Sequence, residues 1–169
     1  MGQSGSKYRV GTTYYKNGNR KIKAGRFTDY KNGIVTLQGP YEEWYENGFP
    51  LIKTSYGDGK INGLYTEYYE IGNIKISTSY VNGKKDGLYK EFQENRKVKI
   101  DCQYSFGELD GYFSEYFPDG TCYIKCRYKN GWLDGEYLKY FENGDKRFRG
   151  VYKEGELIES EDFGGLCNF

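Results

Sequence analysis

The chain has 169 residues and a net charge of +1; 37% are apolar and 19% aromatic, with 20 Tyr, 10 Phe, 24 Gly, 3 Pro and no His. The absence of histidine removes the usual general base near neutral pH and the commonest metal ligand, and no apolar run approaches a membrane span or forms the core of a secretory signal. Apolar area therefore arrives on rings that tolerate half-burial, and β-formers punctuated by Gly predict short strands joined by tight turns.

Residues 1–7 read as a leader, MGQSGSK. Gly2 behind an initiator Met, with Ser6 at the required spacing and Lys7 after it, matches the N-myristoylation pattern, which carries meaning in a eukaryotic host or a virus that uses one. Through residue 31 the chain holds Lys7, Arg9, Lys16, Arg20, Lys21, Lys23, Arg26 and Lys31 against Asp29 alone, so the remainder is net acidic. One myristoyl chain anchors only marginally, and a basic patch beside it supplies the second signal for an anionic membrane surface. Lys7, Arg9, Lys16, Arg20, Lys21, Lys23 and Arg26 are the candidate patch. Tyr14, Tyr15 and Phe27 interleave these cations, as a nucleic-acid surface requires, but the acidic remainder argues against that partner.

Residues 8–38 form a diverged unit and residues 39–159 a regular array. An aromatic pair followed by a turn recurs as YYKNG from Tyr14, WYENG from Trp44, YYEIG from Tyr68, FQENR from Phe92, YFPDG from Tyr116 and YFENG from Tyr140. From Trp44 onward the step is 24 residues, four times without a slip; the first step, from Tyr14, is 30. Blocks opening at Tyr56, Tyr80, Tyr104 and Tyr128 carry Gly at their fourth position and again at their eighth, where Asn62, Asp86, Asp110 and Asp134 precede it. Such pairs supply the positive φ of tight turns. Within each block Ile52, Ile76, Ile100, Ile124 and Phe148 share one position; two residues on come Thr54, Thr78, Cys102, Cys126 and Gly150. This period-two alternation predicts a strand with one packed face. The preceding strand carries rings on both faces and leaves its buried side open.

The expected fold is all-β: an elongated single-layer antiparallel meander of repeated hairpins, about 12 strands and roughly 55 Å long at ~4.8 Å per strand. Equivalent positions then lie about 9.5 Å apart, beyond the ~4.4–6.8 Å Cα separation of a disulfide. Cys102 and Cys126 are accordingly expected as reduced thiols in small core slots, in a cytosolic setting. With no CxxC pair and no His, no metal site or cofactor is expected.

Two surfaces remain as candidates for a partner. Tyr41, Tyr65, Tyr89, Phe113 and Tyr137 form one aromatic column, and Trp132 stands at a turn tip beside Asn130-Gly131; Tyr and Trp dominate interface hot spots. The column's rings also serve to cover the sheet. Glu43, Glu67, Glu91 and Glu115 repeat every 24 residues, a ladder that answers Lys75 and Lys99 on neighbouring strands and supplies no catalytic residue. Residues 160–169 close the chain as a tail. The DFG within it lacks any surrounding kinase lobe, and Cys167 stands one place wrong for prenylation.

The stretches GLYTEYYEIGNIKI (63–76) and YVNGKKDGLYKEF (80–92) resemble the MORN-repeat variant. The resemblance implies β-hairpin repeats that mediate protein association and, in some members, attachment beneath membranes. Bacterial members are labelled antitoxins, and such repeats abound in some large DNA viruses. It implies no catalytic residues. The leading expectation is a non-enzymatic scaffold on the cytosolic face of a membrane that recruits a protein partner or another copy of itself. The alternative is an antitoxin-like inhibitor that occludes a partner.

Overall fold

The computed structural model describes residues 6–29 and 32–164. They form fifteen β-strands: β1 (Ser6–Tyr14), β2 (Arg20–Asp29), β3 (Ile34–Trp44), β4 (Pro50–Gly57), β5 (Lys60–Ile61), β6 (Gly63–Tyr68), β7 (Ile74–Val81), β8 (Lys84–Phe92), β9 (Val98–Ser105), β10 (Glu108–Tyr116), β11 (Cys122–Lys129), β12 (Trp132–Leu133), β13 (Gly135–Tyr140), β14 (Lys146–Lys153) and β15 (Glu156–Asp162). The chain divides into two units, Met1–Lys84 and Lys85–Phe169. In the first, β1-β2-β3-β4-β6-β7 lie side by side; in the second, β8-β9-β10-β11-β13-β14-β15 do, with every pairing antiparallel. Each unit is therefore an open meander of hairpins, the expected all-β repeat fold.

Two kinds of turn alternate. At the fourth-position glycines the two central residues both have positive φ, as at Asp58 (50°) and Gly59 (75°) or Asn130 (50°) and Gly131 (80°), the two-residue turn whose twist suits a hairpin. The aromatic strand closes on a longer turn. Tyr45 N donates to Phe49 O at 2.9 Å and Gly48 N to Tyr45 O at 3.0 Å, with Gly48 at φ 91° and a register shift at Glu43/Trp44. This is a three-residue loop closing on a glycine bulge. Asn47 Oδ1 accepts from Phe49 N at 2.9 Å, while its Nδ2 donates to Glu70 O of the next repeat, also at 2.9 Å. Asn17 stands likewise between Asn19 N and Glu46 O. The recurring Asn thus shapes its own turn and ties it to the following one.

The eighth-position glycines do not reverse the chain, as a turn would. Gly63 (φ 108°), Gly111 (116°) and Gly135 (111°) kink a continuing strand: register slips by two residues between Tyr56↔Ile61 and Ile52↔Glu67, and likewise between Tyr128↔Leu133 and Ile124↔Lys139. This kink separates the short β5 and β12 from β6 and β13, adding two strands to the thirteen that follow one another along the meanders, against about twelve expected.

The register identifies the face on which the ring column lies. In the first unit Ala24 faces Tyr41, Tyr41 faces Thr54, and Tyr65 faces Thr78. In the second, Tyr89 and Phe113 face Cys102, Phe113 faces Cys126, and Tyr137 faces Gly150. Large and small residues alternate across the strands, so each ring lies over a small neighbour. Ala24, Thr78, Cys102, Cys126 and Gly150 are buried beneath these rings. Each ring also meets a Tyr on the next strand edge to face, at centroid distances of 5.5–5.9 Å (Tyr41–Tyr56, Tyr65–Tyr80, Tyr89–Tyr104, Phe113–Tyr128, Tyr137–Tyr152), the geometry that ring quadrupoles favour.

Candidate interaction surfaces

The aromatic column is built into this packed layer. Tyr89 is 8% exposed, and Tyr41, Tyr65, Phe113 and Tyr137 are half-buried. The hydroxyls of Tyr41, Tyr65 and Tyr89 donate to Glu43, Glu67 and Glu91 at 3.0, 3.3 and 3.2 Å. Burial pushes the Tyr41 phenol up to about 12, with the Glu43 hydrogen bond adding to it; burial, then Glu67 or Glu91, raises Tyr65 and Tyr89 as well. These phenols stay neutral across the physiological range.

Two carboxylates of the ladder, Glu67 and Glu91, are engaged twice over. Ile76 faces Glu67 and Ile74 faces Tyr68, leaving Lys75 as the extra residue of a bulge. Its Nζ lies 2.7 Å from Glu67, and Lys99 repeats the arrangement on Glu91 at 2.7 Å. Pairs like these, with partly exposed lysines, contribute about 0–1 kcal/mol each. The ladder is an internal brace rather than a pair of poised acids.

Thiol chemistry is suppressed in the same layer. Burial pushes the Cys102 thiol up to about 11 and the Cys126 thiol up to about 12. All three described cysteines, these two and the half-buried Cys122, are free. Cys102 and Cys126 flank Phe113 on opposite sides, the two-strand separation expected from the repeat.

The basic residues of the amino-terminal hairpin divide between the two faces of the sheet. Arg9 lies directly opposite Arg26, and Gly11 opposite Ala24; by alternation Lys7, Arg9 and Arg26 share the Ala24 face. All three are exposed and form no ion pair among the described residues. On the opposite face Lys23 reaches Glu42 at 3.4 Å. Arg20 lies over the Trp44 ring at 5.8 Å and Lys21 over Tyr15 at 5.4 Å, cation–π contacts that leave part of each charge accessible. Lys16 is exposed in the turn. Gly2 lies outside the described residues, as does Lys31.

Trp132 is 64% exposed and its ring covers the next turn, where a Cβ on Gly155 would stand 2.7 Å from Cε3. With Lys129, Asn130, Asp134 and Glu154 it lines an open cleft of about 540 Å³. Sequence reading passed over Phe106, the most exposed large apolar residue described, at 76%. Phe106 occupies the turn position taken by Asp58, Asn82, Asn130 and Glu154 in the other blocks, with φ 50°. An aromatic residue in that conformation is uncommon, so the departure from the repeat was the available signal. A second shallow groove, of about 350 Å³, lies over the buried Ser114 between Tyr112, Lys125, Arg127 and Leu138.

These features define a β-hairpin repeat protein whose surface is made of strand faces, turn tips and edges. The MORN repeat variant model matches residues 61–82 and 133–154, two stretches three repeat lengths apart and each spanning one hairpin, β6–β7 or β13–β14. The chain therefore carries MORN-variant repeats, which in general mediate protein or membrane-lipid interactions and are typically non-catalytic. Comparison with curated proteins finds no match.

Proposed function

We propose that this protein is a non-enzymatic scaffold held on the cytosolic face of a membrane by myristoylation of Gly2 together with its basic amino-terminal hairpin, from which its repeats engage a protein partner. The observation that carries this reading is the adjacency in sequence of a myristoylation pattern to cations that form no ion pair among the described residues. MGQSGSK runs directly into β1, where Lys7 and Arg9, with Arg26 across from Arg9, hold their charge toward solvent. Directly opposed like charges destabilise a strand pair, so this pairing favours an anionic ligand. A myristoyl chain alone binds with an association constant of about 10⁴ M⁻¹. Three cations at about 1 kcal/mol each near an anionic leaflet raise that by roughly two orders of magnitude.

The test has two arms. Metabolic labelling with a myristate analogue in eukaryotic cells should mark the wild-type chain and leave Gly2→Ala unlabelled; an unlabelled wild type overturns the lipid claim. Co-sedimentation of the acylated protein with phosphatidylserine vesicles should fall sharply in Lys7→Glu/Arg9→Glu/Arg26→Glu and with added salt. Binding indifferent to both overturns the role of the hairpin.

A further inference from the structure

β1, the outer strand of the first unit, and β15, the outer strand of the second, carry opposite charge. β1, SKYRVGTTY, holds Lys7 and Arg9 and no acid; β15, ELIESED, holds Glu156, Glu159, Glu161 and Asp162 and no base. Every residue of both strands is exposed. β1 pairs only with β2, and β15 only with β14, so each has one row of backbone N–H and C=O groups without a strand partner among the described residues. Of the β15 acids, Glu159 is taken by Arg149 at 2.9 Å. Glu156 and Glu161 form no ion pair among the described residues, and neither do Lys7 and Arg9.

We infer that β1 of one copy pairs edge to edge with β15 of a second copy, joining this chain head to tail. An unpaired edge is a template for another strand, and what decides the partner is charge. Two β15 edges brought together oppose acid to acid, and two β1 edges oppose base to base, both unfavourable. The β1–β15 contact alone sets cations against acids. Charged edges commonly keep sheets from pairing at random; here the signs differ, so that repulsion acts between like edges and becomes attraction between unlike ones. The intramolecular β14–β15 pair already shows the chemistry, an acidic strand lying on the basic KRFRGVYK. Such a contact is heterologous, using different surfaces on the two copies. It goes beyond the membrane reading and is tested without lipid, so either can fail alone.

Sedimentation equilibrium of the full-length, non-acylated chain over a concentration series tests it. Wild type should self-associate, with roughly tenfold weakening from low to high salt. Lys7→Glu/Arg9→Glu, with two acidic edges, should be monomeric, and so should Glu156→Lys/Glu161→Lys/Asp162→Lys, which leaves Glu159 as the one acid of β15 and gives two net basic edges. Mixing the two variants should restore association, because an acidic β15 then meets a basic β1. Circular dichroism of each variant, unchanged from wild type, shows that the sheet is retained. A wild type that stays monomeric at low salt, variants that associate as before, or a mixture that remains monomeric each overturns the proposal.

Discussion

Cys102 lies directly across from Phe113, with 1% of its surface exposed. In the first unit Thr78 fills the same slot opposite Tyr65, 2% exposed, and its Oγ1 has no hydrogen-bond partner. A buried polar atom left unpaired costs about 1–3 kcal/mol. Thr78→Val should therefore raise the unfolding free energy by about 1 kcal/mol, and Cys102→Ser should lower it by a similar amount by placing a hydroxyl in a slot that offers no partner. Urea denaturation of both variants checks this; a less stable Thr78→Val would mean that the hydroxyl is satisfied in solution.

Phe148 and Gly150 compensate one another. In the other regular blocks these positions hold Ile and then Thr or Cys; here the larger ring sits beside a residue with no side chain. A Cβ on Gly150 would stand 2.8 Å from Tyr152 and 3.0 Å from Phe148. Gly150→Cys should destabilise by about 1–3 kcal/mol through overpacking. Phe148→Ile in the same chain should recover most of that loss, a coupling read from a double-mutant cycle. Strict additivity would show that the two side chains do not share space.

Two turn residues stand where glycine or asparagine serves better. Arg96 has φ 70° and Phe106 φ 50°, a region that costs most L-residues about 1 kcal/mol. Arg96→Gly, matching Gly48, Gly72, Gly120 and Gly144, should change stability by a few tenths to about +1 kcal/mol. Phe106→Asn should stabilise by a comparable amount while removing the most exposed ring. Thermal midpoints of both variants report the sign. A large loss from Phe106→Asn would show that the ring packs within the fold.

Alkaline pH should unfold the protein through its phenols. Tyr41, Tyr112 and Tyr137 are each pushed from 10.0 up to about 12: Tyr41 and Tyr137 chiefly by burial, Tyr112 chiefly by its hydrogen bond to Asp101. The folded state then holds these protons when the unfolded chain has released them. This contribution is complete below pH 10 and declines as pH rises toward 12. Phenolate absorbance should appear together with loss of the sheet signal across that window; full ionisation near pH 10 with the sheet intact would contradict the burial of Tyr41 and Tyr137 and the Tyr112–Asp101 hydrogen bond.

The repeat was legible because its glycines mark backbone geometry that few other residues tolerate, and because Ile52, Thr54 and Tyr56 alternate cleanly along β4. The buried side of the preceding strand was not, since Tyr65 and Tyr68 put rings on both faces. Only the register, with Tyr65 opposite Thr78, distinguishes them. The kink at Gly63 was read as a turn because Asn-Gly serves both purposes, and only strand pairing on either side separates them. In the diverged unit, Ala24 pairs with Tyr41 but Arg26 with Leu37, the same two-residue slip as in the regular blocks, so the longer first step comes from the β2–β3 hairpin, which pairs on through Thr28↔Val35 to Asp29↔Ile34 where a regular block ends at Gly57↔Lys60. Which basic residues share a face followed from the β1–β2 register, a long-range fact that charge counting does not contain. Phe106 was missed because a single ring among thirty Tyr and Phe draws notice only once its φ is known.

The central claim is that these repeats fold as successive hairpins with rings alternating over small residues. Cross-strand nuclear Overhauser contacts test it most directly. The account predicts Phe113 close to both Cys102 and Cys126, and Tyr89 close to Cys102. Contacts confined to residues three and four apart in sequence, as in a helix, or Phe113 near only one of the two cysteines, would contradict it.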